Sequence, residues 1–589
     1  MITQPTSEYQ ILPQYHSQPR RLKIIHVGAG ASGLLFAYKA KRLLLNYELT
    51  CYEKNPSIGG TWFENKYPGC ACDIPAHTYT YPFQPNTEWS GFYSCADEIL
   101  AYFQNFHDEH ELAPYIKLST EVPSATWDED SAEWEIELKN AEGIFKDRCH
   151  VLINGAGVVN KWKWPAIEGR ELYKGILSHS ANWDTSIKWE GKRVAVIRTG
   201  SSSIQMVPQM AKGSQTLTVF ARNSTYISPL VSPGDYRVHP DGKHHYLEVE
   251  KEVFRTDPAR HLQYRKDQET VLTKQFPIFI RGTPESVMAK EALTAQMLAR
   301  IGPGHDELKK RFIPDWAPGC RRLTPGEGYL ETLVLDHVRV AYDEIDRFTE
   351  TGVVTAAGEE LDFDIMACAT GFDVSFIPHF NIVGRKGVSM REEWKGNVNI
   401  YLGITAPNYP NYFVIDGPTA NWGNGCVMPS HEVHIEYALK CCRKLQEDRR
   451  RAFSPWSLDR DRRPRSGSTW ILGTRNVASG VTTAGPGTKT TGPTVASTSG
   501  QEVCCTISRP SGSLATSTTT CGFGTRMSGP SWVTAARTWR SSGRTDLTSI
   551  SNGPLHQEFR RPLDLGPAAR LAAEAGGGEE GFVVVIATK

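Results

Sequence analysis

The segment that most constrains the fold is an apolar run near the N-terminus, followed by a glycine-rich turn and a helical pattern. Residues 21–27 read as a buried strand, Gly28, Gly30 and Gly33 follow at once, and residues 34–45 read as a helix. Gly28 permits the tight turn, Gly30 lets the backbone approach a diphosphate, and Gly33 lets the helix pack on the strand. The helix N-terminus offers N–H groups to phosphate. The segment predicts a Rossmann-like dinucleotide site.

The residues after this turn support the same interpretation. Ser32 lies within the glycine-rich turn, and a second strand, residues 48–52, ends at Glu53. A carboxylate at that position can accept hydrogen bonds from a ribose and favours one without a 2′-phosphate, as in FAD. A lone G-x-G-x-x-G would be weak evidence. With its strand, its helix and its terminal acid, the motif is specific.

A second strand, turn and helix pattern starts at residue 193. The candidate cofactor-binding positions of this turn and helix are Gly200, Ser201, Ser202 and Gln205. The next strand, residues 216–220, ends at Arg222 instead of an acid. A cation there suits the 2′-phosphate of NADP, although an exposed arginine after a strand is the simpler alternative.

Between the two nucleotide motifs lies the stretch from Tyr173 to Asp184, which fits the fingerprint F-x-G-x-x-x-H-x-x-x-W-[PD] with Tyr173 in place of Phe. The matching positions are Gly175, His179, Trp183 and Asp184. Alone, these could be a turn, a core histidine and a packed aromatic. At this location the sequence resembles the flavin-dependent Baeyer–Villiger monooxygenases, especially those of fungal secondary metabolism. The resemblance covers roughly residues 20–450 and implies that His179 and Trp183 hold the linker that couples two domains.

The same resemblance implies further site residues. It assigns Arg322 as the catalytic arginine, Asp73 as the active-site acid that orients it, and Arg321 as the residue facing the NADP phosphate. From the residues alone, Asp73 could be a turn cap and the arginine pair a solvated face. The remaining candidate positions for cofactor binding are Gly60, Thr61, Trp62, Tyr79, Thr370 and Gly371.

One departure from the family pattern lies in the second turn. The family has Gly where this chain has Arg198. A large side chain at the first glycine position predicts either a turn that bends differently or weaker binding of the nicotinamide cofactor.

Composition narrows the classes of partner. Lys+Arg and Asp+Glu balance at 65 each, so the net charge favours neither nucleic acid nor an anionic membrane. The 13 cysteines lack metal-ligand spacing, so we expect reduced thiols and no metal. The N-terminus is polar and no run of about 18 apolar residues occurs, so we expect a soluble, cytoplasmic protein. The oligomeric state is left open.

The predicted fold is α/β, with two doubly wound dinucleotide-binding domains. Residues 1–160 and 371–451 form the FAD-binding domain, and residues 161–370 form an inserted NADP-binding domain with a helical insertion at about 244–312. Residues 452–589 are rich in Ser, Thr, Gly and Arg. They form either a disordered tail or a frame-shifted translation of the family's C-terminus.

The resemblance implies an enzyme that uses FAD and NADPH to insert one oxygen atom of O2 beside a ketone carbonyl, giving an ester or a lactone. The sequence leaves two alternatives. One is a flavin monooxygenase that hydroxylates nitrogen or sulfur. The other is an inactive flavoprotein remnant, which Arg198 and the aberrant tail motivate.

Overall fold

The computed structural model describes residues 15, 18–229, 245–396, 398–420 and 424–447. The predicted tail, residues 452–589, lies outside this range. In the part described, no helix has the length and apolar character needed to cross a membrane.

The strands follow one another along the chain as β1 (Leu22–Val27), β2 (Tyr47–Tyr52), β3 (Ile116–Lys117), β4 (Glu121–Asp128), β5 (Glu133–Asn140), β6 (Gly143–Cys149), β7 (Val151–Asn154), β8 (Ile176–His179), β9 (Arg193–Ile197), β10 (Thr216–Phe220), β11 (Ile227–Ser228), β12 (Thr324–Pro325), β13 (Val338–Ala341), β14 (Ile345–Phe348), β15 (Gly352–Thr355), β16 (Glu360–Asp362), β17 (Ile365–Cys368), β18 (Asn381–Val383) and β19 (Tyr412–Val414).

The α-helices are α1 (Ala31–Leu43), α2 (Thr61–Glu64), α3 (Ala96–Glu109), α4 (Ser201–Ala211), α5 (Glu248–Thr256), α6 (Pro258–Lys274), α7 (Pro284–Ile301), α8 (Asp306–Phe312), α9 (Tyr329–Thr332), α10 (Met390–Glu393) and α11 (Met428–Glu447). Short 3₁₀ turns span Ala113–Tyr115, Arg170–Leu172, Phe276–Phe279 and Arg385–Gly387. Helix α1 begins three residues before the predicted start, because the chain turns helical directly after Gly30.

The first sheet is parallel, in the order β19, β7, β1, β2, β3. Its central strand β1 is almost wholly buried, as its apolar sequence requires. In the register of the sheet, Val27 lies opposite both Tyr52 and Asn154, and Val414 lies opposite Asn154. The carboxyl ends of these strands therefore meet at one edge, where open α/β sheets bind ligands.

The second sheet is also parallel, in the order β13, β10, β9, β17, β8. Ile197 lies opposite Phe220 on one side and Cys368 on the other, and Cys368 lies opposite His179. All its strands fall between β7 and β19 in the sequence, so this sheet is inserted into the first one. The positions of the domain bounds near residues 160, 370 and 451 stay a prediction.

Three smaller sheets hold the remaining strands of the part described, and the smallest pairs β11 with β12 in parallel. The second is antiparallel, with the order β14, β15, β16, and the third has the order β18, β4, β5, β6. The alternating segments from Val338 to Leu361 predict a β-meander, and this prediction is wrong for the first strand. Strand β13 instead forms the edge of the second sheet, where it pairs in parallel with β10, Val338 opposite Leu217.

Candidate active site

A cleft of about 1160 Å³ opens at the carboxyl edge of the first sheet. It collects residues from that sheet, from α4 of the second sheet and from the loop before β12. The predicted site residues that line it are Gly28, Gly30, Ser32, Glu53, Gly60, Thr61, Trp62, Asp73, Tyr79, Ser201, Gln205, Arg321 and Arg322. Two predicted nucleotide motifs and the predicted catalytic pair thus contribute to one cavity.

The first glycine turn presents bare backbone to this cleft. Gly28 has φ +97°, and its N–H donates to Tyr52 O at 2.7 Å. A Cβ added to Gly30 would lie 3.4 Å from Gly60 Cα, so the two backbones approach each other closely. A Cβ added to Gly33 would lie 2.2 Å from Gly28 O. The turn leaves room for a diphosphate beside the N-terminus of α1.

Glu53 is buried at the end of β2 and is held by backbone donors. Its Oε2 accepts from Ala29 N at 2.8 Å, and its Oε1 accepts from Asn55 N at 2.9 Å and Asn55 Nδ2 at 2.8 Å. Burial raises the pKa of Glu53 above its ordinary value, although the N–H groups of Ala29 and Asn55 oppose that shift. A carboxylate oxygen has two lone pairs, so Oε2 can accept one more hydrogen bond. This acceptor fits a ribose hydroxyl.

Asp73 and Arg322 form a bidentate ion pair inside the cleft. Arg322 Nε donates to Asp73 Oδ2, and Arg322 Nη2 donates to Asp73 Oδ1 at 3.2 Å. The Arg322 side chain keeps 38% of its surface exposed. Burial works against its charge, but Asp73 outweighs burial and the pKa of Arg322 lies above its ordinary value. The pair therefore presents a fixed guanidinium that stays protonated.

Arg321 lies in the same cleft but points to different partners. Its guanidinium lies 5.3 Å from the ring centroid of Trp316, and its Nη1 donates to Ser224 O at 3.4 Å. The two adjacent arginines therefore lie in different surroundings.

Gln205 ties the second sheet to the loop that carries Asp73. Tyr67 Oη donates to Gln205 Oε1 at 2.7 Å, and Gln205 Nε2 donates to Ala71 O at 2.9 Å. A Cβ at Gly69 would lie 2.5 Å from Gln205 O, so this loop also packs directly against α4. The amide binds protein at both ends, which leaves one Nε2 hydrogen for a cofactor.

Other predicted residues do not line the cleft. They are Gly33, Gly200, Ser202, Arg222, His179, Trp183, Thr370 and Gly371. Arg222 is 43% exposed and its Nη1 lies 3.9 Å from Glu344 Oε1. It lies just beyond the carboxyl end of β10, at the edge of the second sheet where Arg198 and Thr370 also lie.

His179 is completely buried, and its hydrogen bonds determine which ring nitrogen carries the hydrogen. Its Nδ1 accepts from Ala181 N at 3.1 Å, so its Nε2 carries the hydrogen and donates to Thr370 Oγ1 at 3.0 Å. Its ring stacks on Trp162 with centroids 4.6 Å apart, and Trp162 lines the cleft. Burial lowers the pKa of His179 to about 4, so the ring is neutral. Trp183 packs in the hydrophobic core. These contacts support a positional role for both residues.

The second turn bends like the first despite Arg198. Its φ is +93°, close to that of Gly28, and its N–H donates to Phe220 O at 3.0 Å as Gly28 N–H does to Tyr52 O. The expectation that the turn could bend differently is wrong. The parallel strands on either side fix the turn, and Arg198 takes a left-handed backbone that favours glycine.

Arg198→Gly should therefore stabilise the protein. The left-handed region disfavours a residue with a Cβ by about 1–2 kcal/mol, and the greater chain entropy of unfolded glycine offsets part of this. We expect a gain of about 0.5–1 kcal/mol in the free energy of unfolding, measured by denaturant titration. Arg222→Gly, which replaces an exposed arginine nearby, is the control. If Arg198→Gly destabilises the protein, the backbone at Arg198 is not strained.

The residues that line the cleft without having been singled out from the sequence include Trp162, Asp416 and His431. A signal for Asp416 was present, since this acid follows the buried strand β19 closely, much as Glu53 follows β2. His431 and Trp162 have no local signal, because their place in the cleft depends on tertiary packing.

Comparison with known proteins places these features in a family. Residues 27–96 match the family model described as an NAD(P)-binding Rossmann-like domain. The FAD-binding monooxygenase tazF of Aspergillus terreus is 40% identical over 72% of this chain and 76% of its own length. The FAD-binding monooxygenase stcW of Emericella nidulans is 35% identical, over 77% and 76% of the two chains. A Baeyer–Villiger monooxygenase of Streptomyces coelicolor is 29% identical, over 74% and 80%.

Solved structures support the same assignment. A steroid monooxygenase bound to NADP has a TM-score of 0.63 and 25% identity, over 73% of this chain and 87% of its own. An open structure of cyclohexanone monooxygenase has a TM-score of 0.63 and 23% identity, over 74% and 89%. The resemblance stated from the sequence, the α/β fold, the use of FAD and NADP and the enzyme class are confirmed. The chain belongs to the FAD-binding monooxygenases, the family that includes the Baeyer–Villiger enzymes.

Proposed function

We propose that this protein inserts one oxygen atom of O2 beside the carbonyl of a ketone and releases an ester or a lactone. The observation that carries this proposal is the ion pair of Asp73 with Arg322, which lies in the same cleft as the glycine turn of the first sheet. Greater identity to the fungal relatives than to the bacterial Baeyer–Villiger enzyme supports a role in secondary metabolism. The cytoplasm is the compartment we propose.

The cleft offers partners for several parts of FAD. The turn at Gly28 and Gly30 fits the diphosphate, Glu53 fits a ribose hydroxyl, and Trp62 and Tyr79 form an aromatic wall, with Trp62 Nε1 donating to Tyr79 Oη at 3.2 Å. When bound, FAD supplies the centre that accepts a hydride from NADPH and activates O2.

Arg322 then acts through its charge and its fixed position. Negative charge develops on oxygen as the ketone carbonyl is attacked, and a preorganised cation stabilises that charge without reorganising. Asp73 holds the guanidinium through two N–H donors, so its direction is set before the substrate arrives. Because the pKa of Arg322 is raised, its charge persists over the whole working range of pH.

The proposed roles of Arg222 and Arg321 are to bind the phosphates of NADPH. Arg222→Ala should reduce the preference for NADPH over NADH by about ten- to a hundredfold, since one hydrogen bond to a charged group contributes about 1.5–3 kcal/mol. The preference is measured as the ratio of kcat/KM for the two cofactors. Arg339→Ala, which removes an exposed ion pair with Glu359, is the control. Equal use of both cofactors by the unaltered protein would refute the role of Arg222.

The proposed reaction is tested by incubating the protein with NADPH, O2 and a panel of cyclic, linear and aryl ketones. The expected product is heavier than the ketone by one oxygen, carries an ester carbonyl, and takes up label from ¹⁸O2. The same assay with thioethers and amines tests the alternative. A sulfoxide or a hydroxylamine as the only product would replace our proposal, and FAD-free protein without turnover would support an inactive remnant.

A further inference from the structure

Asp416 occupies a strained and firmly held position in the cleft. It follows β19 at the same edge of the sheet as the glycine turn, and its φ is +50°. Non-glycine residues remain in this region where their surroundings hold them, and such positions cluster at functional sites. Its backbone N–H donates to His434 Nδ1 at 3.1 Å, and its Oδ1 accepts from Ser430 Oγ at 2.6 Å. These two hydrogen bonds fix the position of the second carboxylate oxygen, Oδ2.

That second oxygen lies beside His431, and both groups keep binding capacity. His431 Nε2 lies 2.7 Å from Asp416 Oδ2, but Asp416 Oδ2 and His431 Nδ1 are buried and form no hydrogen bond with any described residue. Both residues line the cleft. Buried polar atoms in folded proteins nearly always have a partner. Asp416 and His431 are neighbours in space and line one cleft. Their two atoms without hydrogen bonds therefore indicate that a ligand bound in the cleft supplies the missing partners.

The pair is also close to the diphosphate turn. His26 lies beneath that turn, its Nδ1 2.9 Å from Gly28 O. Burial lowers the pKa of His26 to about 4, so His26 is neutral. The residue after His431 in α11, Glu432, is paired with Lys39 of α1 at 2.6 Å. Asp416 and His431 line the same cleft as Gly28 and Gly30.

We propose that Asp416 and His431 hold the ribityl chain of FAD, the hydroxylated segment between the diphosphate and the flavin ring. A carboxylate oxygen suits a hydroxyl donor and would repel a phosphate oxygen, so Asp416 Oδ2 selects the sugar alcohol. His431 Nδ1, next to that oxygen, binds a second polar atom of the same segment. The inference depends on the FAD binding of the family and is independent of which substrate is oxidised.

The test compares FAD with ADP, which lacks the ribityl chain and the flavin, on protein stripped of cofactor. In Asp416→Asn the side chain keeps its shape and tolerates a left-handed backbone. Its amide places either an NH2 group or an uncharged oxygen at the position of Oδ2. We expect FAD affinity, measured by fluorescence titration, to fall about tenfold or more, and ADP affinity, measured by calorimetry, to stay within about twofold. His431→Phe, which keeps a ring, should act in the same direction.

Glu447→Gln, at the exposed end of α11, is the control and should change neither affinity. Thermal unfolding of each variant without cofactor shows whether it is folded. Unchanged FAD affinity in both variants would overturn the proposal, and so would an equal loss of FAD and ADP affinity. A failure of the proposed ketone oxidation would leave these affinities unaffected, so the two ideas fail separately.

Discussion

Arg322→Ala should lower the rate of product formation by about 10²–10³-fold while the reduction of FAD by NADPH continues. The guanidinium is the charged group that Asp73 holds in the cleft, and its removal leaves the developing negative charge on oxygen without that donor. We expect the oxygen consumed to appear as hydrogen peroxide. Product is measured by mass spectrometry, peroxide by a coupled assay, and reduction by anaerobic stopped-flow absorbance.

Two further variants sharpen this experiment. Asp73→Asn keeps the arginine but removes the carboxylate charge that fixes it, so it should lose activity less severely than Arg322→Ala. Arg339→Ala removes an exposed arginine paired with Glu359 and should leave product formation unchanged. If Arg322→Ala makes product at the ordinary rate, or if its FAD is no longer reduced, Arg322 does not have the proposed role.

Gly30→Val should abolish the binding of FAD. The new Cβ would lie 3.4 Å from Gly60 Cα, and the two methyl groups beyond it would fill the strip of bare backbone that faces the cleft. Loss of two hydrogen bonds to the diphosphate, at about 1.5–3 kcal/mol each, weakens binding by at least about a hundredfold. The measurement is the ratio of FAD to protein after purification, followed by titration with FAD.

The matched control is Gly396→Val. A Cβ at Gly396 would meet no atom within 4 Å, so this variant should purify with its full complement of FAD. A Gly30→Val protein that keeps FAD in equal amount would show that the first glycine turn is not the site of the diphosphate.

Local signals in the sequence were sufficient for the nucleotide-binding elements. A buried strand, a glycine turn and a helix are adjacent in the chain, so Gly28, Gly30 and Glu53 could be located from spacing alone. Asp73 and Arg322 are 249 positions apart, and no local pattern joins them. Their partnership came from the family resemblance, and the ion pair that the resemblance implied is present in the structure.

Features that depend on long-range packing were missed or misjudged. Strand β13 has four residues and could pair in either direction, so its parallel pairing with β10 was not predictable from its sequence. Asp416 and His431 come together only when the start of α11 packs against the segment that follows β19. Arg198 looked incompatible with its turn, but the flanking strands determine the backbone there more strongly than the preference of one residue.

The insertion of one sheet into the other has a consequence for the order in which the protein folds during synthesis. The second sheet uses a continuous stretch of chain from β8 to β17, so it can form as soon as that stretch has emerged from the ribosome. The first sheet must wait for β19, whose Tyr412 accepts a hydrogen bond from Asn154, 258 positions earlier. Until then β7 is an unpaired apolar edge, which invites aggregation. Chaperones that shield this edge during translation should therefore determine how much folded protein a cell obtains.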